Sequence, residues 1–107
     1  MIDVYIWKTD EHYTEVYAEG HAGYAEAGKD IVCAAVSALT ITFENALNAL
    51  ADVPVLEKQY IGEKPRMLLP VASDKTDLLF KMYQIGIEGI QEAFPNNVKL
   101  HLETYKN

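Results

Sequence analysis

The segment DIVCAAVSALTITFENALNAL, residues 30–50, decides the fold because it predicts one long helix. Asp30 predicts the N-cap, since an aspartate there accepts hydrogen bonds from the unpaired amides of the first turn. Apolar residues cover most of the circumference that follows: Ile31, Val32, Ala35, Val36, Leu39, Ile41, Phe43, Leu47 and Leu50. A helix of this kind is usually central and buried, so the sequence predicts a core helix that reaches about Leu50.

Strand patterns lie on both sides of this helix. Residues 2–7 and 13–19 alternate between apolar and polar side chains, which is the two-residue period of a half-buried strand. The polar cluster at residues 9–12 predicts the turn between them. Near the other end of the chain, residues 98–104 show the same alternation and predict a final strand.

The middle of the chain predicts a hairpin and a second helix. Residues 53–61 and 67–71 are interpreted as two strands joined by a turn at residues 62–65. A helix then begins after Ser73 or Asp74, and Pro95 ends it. Its apolar side is expected to consist of Leu78, Leu79, Met82, Tyr83, Ile85, Ile90 and Phe94.

The predicted element order is therefore β-β-α-β-β-α-β. This order is typical of an α+β fold in which two helices pack on an antiparallel or mixed sheet. With 107 residues, we expect a single domain spanning residues 1–107.

Composition restricts the compartment. No run of eighteen apolar residues occurs, so a membrane-spanning helix is not expected. The N-terminal residues lack the basic flank and apolar block of a secretory signal. A single cysteine cannot form an internal disulfide, and a reducing cytoplasm is its natural environment.

Charge restricts the partners. The net charge is −7, and residues 1–63 carry eleven of the sixteen acidic side chains. A protein that binds nucleic acid directly needs clustered lysine and arginine, so that class is not expected. The acidic half either attracts a basic polypeptide or is a solvated surface that keeps the protein soluble.

Cys33 is the candidate nucleophile. As the third residue after Asp30 it lies in the first helical turn, where the helix dipole stabilises a thiolate. His21 precedes it across a loop that contains Gly20, Gly23 and Gly28, and we interpret it as the base that serves the thiol. Amides of the first turn, including that of Cys33, are expected to bind the oxyanion.

A polar stripe supports this interpretation. Steps of three and four residues from Asp30 lead to Cys33, Ser37, Thr40, Glu44 and Asn48, all on one helical face. Ser37 is expected to support the thiol, and Asp30 either caps the helix or orients His21. The same pattern is also compatible with a plain solvent face, a core thiol or a redox sensor.

Other chemistries are not expected. One cysteine and scattered histidines do not have the spacing of a metal site, so no metal or other cofactor is predicted. The glycine-rich loop does not match a phosphate cradle, because Asp30 follows Lys29 where a Walker motif has serine or threonine.

Two runs of sequence resemble a known family. GHAG at residues 20–23 and GKDIVCAAVSAL at residues 28–39 resemble the signature of the bacterial ribosomal-processing cysteine protease family, Prp. The resemblance extends over essentially the whole chain, and no key position departs from the signature.

The resemblance implies a homodimeric cytoplasmic endopeptidase with His21 and Cys33 as its catalytic pair. It implies a substrate as well: the N-terminal extension of a large-subunit ribosomal protein, number twenty-seven in bacterial numbering, with aromatic residues before the cut and lysines after it. It further implies that the glycine-rich loop is mobile and orders over bound peptide. The alternative is an assembly factor that binds the ribosomal protein without cutting it.

Overall fold

The described residues form seven regular elements in the predicted order. The computed structural model describes residues 1–26, 28–53, 59–61 and 64–104. Its elements are β1 (Ile2–Lys8), β2 (Tyr13–Gly20), α1 (Ile31–Ala51), β3 (Gln59–Ile61), β4 (Lys64–Leu68), α2 (Asp74–Ala93) and β5 (Val98–Thr104). The α+β class and the order β-β-α-β-β-α-β are confirmed.

The strands form one mixed sheet with the order β3-β4-β2-β1-β5. β1 pairs antiparallel with β2 and parallel with β5, so Ile2 lies between Gly20 on one side and Val98 on the other. This register brings the exit of β2 close to the α2–β5 connection. The candidate site lies at this end of the strands.

Both helices pack on the face of the sheet that carries the inward side chains of β1. Ile2, Val4 and Ile6 are buried there with residues from both helices. α1 and α2 are joined by a 2.8 Å hydrogen bond between the Thr40 and Tyr83 hydroxyls. Burial raises the pKa of Tyr83 to about 12, so its hydroxyl stays neutral at physiological pH.

The prediction that α1 is buried on most of its circumference was wrong. Ile31, Ile41 and Leu50 are 57%, 53% and 66% exposed, and the buried side consists of Val32, Val36, Phe43 and Leu47. On α2, the expected core residues Leu78, Met82 and Ile85 are exposed as well. The physical reason is that a helix packed on one face of a sheet buries the side that contacts the sheet and leaves the opposite side exposed.

The hairpin differs from the prediction in its turn. β3 ends at Ile61 and β4 begins at Lys64, so Lys64 and Pro65 belong to a strand instead of the turn. β4 pairs with β2 only over residues 66–68, so Pro65 has a single neighbouring strand, where a missing amide donor is tolerated. Val53, the first residue of that predicted strand, belongs to no strand, and residues 54–58 lie outside the described residues.

α1 also bears on the question of a membrane. It has 21 residues with a mean hydropathy of 1.4 over eighteen of them, which is enough to cross a bilayer by length and composition. The prediction against a spanning helix considered only uninterrupted apolar runs. α1 contains scattered polar residues, yet its mean hydropathy over eighteen residues is high enough for a spanning helix. Core helices of globular proteins also pass it, and α1 contributes Val36 and Phe43 to the core.

Candidate active site

The site begins where β2 ends. Gly20 is the last residue of β2 and has φ +93°. A Cβ there would overlap the carbonyl oxygen of Met1, so only glycine fits this close approach. The loop therefore begins at His21, one residue later than predicted. Gly23 and Gly28 also have positive φ and lie within the loop.

Asp30 joins this loop to α1. Its Oδ1 accepts hydrogen bonds from the amides of Val32 and Cys33, both at 3.0 Å. Its Oδ2 accepts from the amides of Tyr24 at 3.1 Å and Ala25 at 3.4 Å. The bond from the Cys33 amide is the largest cause that lowers the pKa of the Asp30 carboxyl below its usual value, so it is ionised at neutral pH.

The capping role of Asp30 is confirmed, and its second carboxylate oxygen is occupied by the loop. This arrangement leaves little capacity for orienting His21. The first-turn amides, expected to be unpaired, have partners in this structure: those of Val32 and Cys33 donate to Asp30 Oδ1, and that of Ala34 donates to the Asp30 carbonyl at 3.1 Å. Their role in binding an oxyanion stays a prediction.

Cys33 is partly exposed at the start of α1. Its sulfur accepts a hydrogen bond from the Ala22 amide, with an N to Sγ distance of 3.5 Å. An amide donor of this kind stabilises a thiolate more than a thiol. The loop therefore contributes a donor to the sulfur from outside the helix.

One cavity brings most of the predicted site residues together. It has a volume of 520 Å³ and is lined by His21, Gly23, Ala25, Gly28, Asp30, Cys33, Ala34 and Ser37. His21 and Ser37 are exposed on its wall, and within the described chain neither forms a hydrogen bond to the Cys33 sulfur. Gly20 lies outside this lining, in the sheet.

Two contacts to the loop were missed by the sequence analysis. Asn97 Nδ2 donates to the Ala22 carbonyl at 2.8 Å, and the rings of Tyr24 and Phe94 meet edge to face at 5.3 Å between centroids. Both partners lie at the end of α2 or just after it. The sequence signal there, Phe-Pro-Asn-Asn, was interpreted only as a helix end.

We expect two substitutions of Asp30 to separate its two tasks. Asp30→Ala removes the cap and the loop contact, and should lower the melting temperature by about 5 °C. Asp30→Asn keeps a capping oxygen but loses an acceptor for the Tyr24 and Ala25 amides. Its melting temperature should stay near that of the wild type while peptide cleavage falls.

The stabilisation by Asp30 depends on its charge and has a defined sign. Because the folded pKa is lowered, the difference in melting temperature between wild type and Asp30→Ala should shrink as the pH falls through that lowered pKa. Thermal melts across an acid pH series measure this. Equal melting temperatures for the two proteins at neutral pH would contradict the assignment.

Comparisons with known proteins place this chain among relatives of one family. Residues 1–99 match the family model described as cysteine protease Prp. A ribosomal processing cysteine protease Prp from Bacillus subtilis is 34% identical over 87 residues, covering 76% of this chain and 78% of that protein. Its namesake from Staphylococcus aureus strain Mu50 is 30% identical over 104 residues, covering 94% of this chain and 98% of that protein.

Solved structures show the same fold. The crystal structure of SMU.848 from Streptococcus mutans has a TM-score of 0.80 at 33% identity and covers 98% of this chain and 96% of that one. A ribosomal processing protease Prp from S. aureus, in complex with a covalently linked product peptide, has a TM-score of 0.83 at 30% identity. It covers 95% of this chain and 99% of that one.

Proposed function

This chain belongs to the cysteine protease Prp family, and on that premise we propose that it removes a short N-terminal extension from a large-subunit ribosomal protein. The enzyme class follows from the family: the chain is a cysteine endopeptidase. The proposed substrate is ribosomal protein number twenty-seven in bacterial numbering, and its processing would serve ribosome assembly. The alternative is a factor that binds the ribosomal protein without cutting it. Membership of a protease family does not support that alternative.

The observation that carries the proposal is the cavity shared by Cys33 and His21. The sulfur lies in the first turn of α1, where the helix dipole favours a negative charge. His21 lies on the loop that faces it. A nucleophile and a nearby imidazole on one cavity wall are the minimum that thiol proteolysis needs.

The proposed reaction has two halves. His21 takes the proton of Cys33, and the thiolate attacks the scissile carbonyl carbon to form a C–S bond. The C–N bond then breaks, and His21 returns the proton to the leaving amine. In the second half His21 activates a water molecule, whose attack breaks the C–S bond and releases the extension with a free carboxylate.

The charges near the cavity suit a basic substrate. Asp30 lines the cavity, Glu26 lies in the exposed loop, and the whole chain has a net charge of −7. The small side chains of Ala25 and Ala34 in the lining let a peptide backbone approach the sulfur. A lysine-rich segment after the cut would be attracted to this acidic surface.

The test uses the ribosomal protein from the same organism. We expect incubation with the purified enzyme to yield a product whose mass is lower by that of the extension, and a matching peptide fragment. A ribosomal protein left intact at equimolar enzyme, while a general thiol reagent still labels Cys33, would reject the proposed substrate.

We propose that the chain forms a homodimer through the exposed apolar residues of its helices. Ile41, Met82 and Ile85 are 53%, 42% and 68% exposed, and burying such residues is a common source of dimer stability. Light scattering should give twice the chain mass of 12.0 kDa, and Ile41→Glu should reduce it to that of the monomer, whereas Asn48→Glu on the same helix should not. A monomeric wild type would contradict this.

The remaining functional features stay predictions. A cytoplasmic location suits an enzyme that acts on a ribosomal protein, and the curated relatives above are bacterial proteins. The acidic surface argues against direct binding of nucleic acid. We propose no role at a membrane, and no metal or cofactor enters the reaction described here.

A further inference from the structure

Ala22 is held at three points in a loop whose other described residues, 21, 23–26, 28 and 29, are exposed. Its side chain is 2% exposed and belongs to the hydrophobic core. Its amide donates to Cys33 Sγ at 3.5 Å, and its carbonyl oxygen accepts from Asn97 Nδ2 at 2.8 Å. The residue next to His21 is therefore fixed between the thiol and Asn97.

Asn97 itself is fixed by the rigid part of the fold. Its amide donates to the Phe94 carbonyl at 3.0 Å, which ties it to the end of α2. Its carbonyl accepts the amide of Ile2 at 2.8 Å, which ties it to the start of β1. These are backbone contacts, so they remain when the side chain changes. The side-chain amide of Asn97 connects this frame to the loop by a hydrogen bond to the Ala22 carbonyl, beside the ring contact between Phe94 and Tyr24.

The chemical consequence concerns the sulfur. The amides of Val32 and Cys33 donate to Asp30, so they are not available to a thiolate at Cys33. The Ala22 amide is a described donor that reaches Sγ, and hydrogen bonds to the charged form of a group favour that form. The direction in which the Ala22 N–H points depends on how its peptide group is held.

We propose that Asn97 is a positioning residue that holds the Ala22 amide against the Cys33 sulfur and thereby maintains the reactive thiolate. The inference rests on the proposed function in that it assigns Asn97 to the same site. Asn97 does not contact the sulfur itself, and acts through Ala22. By fixing Ala22 it also limits where the neighbouring His21 can lie.

The experiment measures alkylation of the thiol as a function of pH. Cys33 is the only cysteine, so iodoacetamide labelling followed by intact mass reports on this site alone. The variants are Asn97→Ala, which removes the donor, and Asn97→Asp, which keeps the shape but faces the Ala22 carbonyl with a second acceptor. The matched controls are Asn96→Ala and Asn96→Asp at the exposed neighbouring position.

We expect the pH of half-maximal labelling to rise by about one unit in both Asn97 variants, the size expected when a hydrogen bond to a charged group is weakened. Cleavage at neutral pH should fall about tenfold, mainly in kcat, and should recover as the pH rises. The Asn96 variants should behave like the wild type in both assays.

Several outcomes overturn the proposal. One is a half-labelling pH in the Asn97 variants equal to that in the Asn96 controls. Another is loss of the folded state in both Asn97 variants, seen by circular dichroism, which would assign Asn97 a structural role. Failure of the wild type to cut the ribosomal protein is a separate result: it rejects the proposed substrate, while the labelling curves still decide the role of Asn97.

Discussion

Cleavage of the extension should be abolished in Cys33→Ala, with a fall in kcat/KM of at least about 10⁴-fold. The reason is that the C–S bond of the acyl-enzyme cannot form without the sulfur. Cys33→Ser should be nearly as inactive, because a serine hydroxyl at a helix start is not ionised at neutral pH. The measurement is the initial rate of product formation from an extension peptide, followed by mass.

The effect must be separated from damage to the fold. Cys33→Ser changes one atom in a partly exposed side chain, so its circular dichroism and melting temperature should match the wild type. Asn48→Ala serves as the control, since it removes an exposed polar side chain from the same helical stripe. Residual activity of Cys33→Ala above a tenth of the wild type would show that another group is the nucleophile.

His21→Ala should lower kcat/KM by about 10²- to 10⁴-fold, the usual contribution of a general acid–base group. The thiol would remain, so iodoacetamide should still label Cys33 in this variant at high pH. The loss should reflect the two proton transfers of the proposed reaction, from the thiol to the imidazole and from the imidazole to the leaving amine. Cleavage and labelling are measured on the same preparation.

His12→Gln provides the comparison for His21. His12 precedes β2 and His21 follows it, so about 25 Å of strand separates the two histidines. His12 instead donates from Nδ1 to Asp77 Oδ2, with a distance of 2.7 Å between these atoms. Its replacement should leave kcat/KM within about twofold of the wild type. Equal losses for both histidines would mean that His21 acts only through the general stability of the protein.

Local signals were sufficient to predict most of the fold. The N-cap of α1 at Asp30, the end of α2 before Pro95 and the strand periods all depend on neighbours in sequence, and the structure confirms them. The exposed side of α1 could not be predicted, because an apolar period does not show how many sides of a helix are covered. Pro65 was assigned to a turn because its position in β4 depends on which strands lie beside it.

The sequence predicted the site residues that lie close together in the chain, but not the one that lies far from them. Cys33, His21 and Asp30 are close in sequence, and the structure brings them to one cavity. Asn97 is 75 residues from Ala22, and no local pattern distinguishes it from Asn96. The first-turn amides were expected to be unpaired, because the sequence indicates that Asp30 caps the helix but not that one of its oxygens accepts from both the Val32 and Cys33 amides.

The parallel pairing of β1 with β5 has a consequence for how the enzyme matures. Ile2 and Val98 are neighbours in the sheet although they are 98 − 2 = 96 positions apart in the chain. Pairing segments so far apart in the chain carries a large entropic cost, because a long loop must close before the two strands can pair. Asn97 directly precedes β5 in the chain. A chain still emerging from the ribosome therefore already contains Cys33 but not the Asn97 side chain that binds the Ala22 carbonyl. The hydrogen bond between Asn97 and Ala22 can therefore form only after the last part of the sheet has been synthesised.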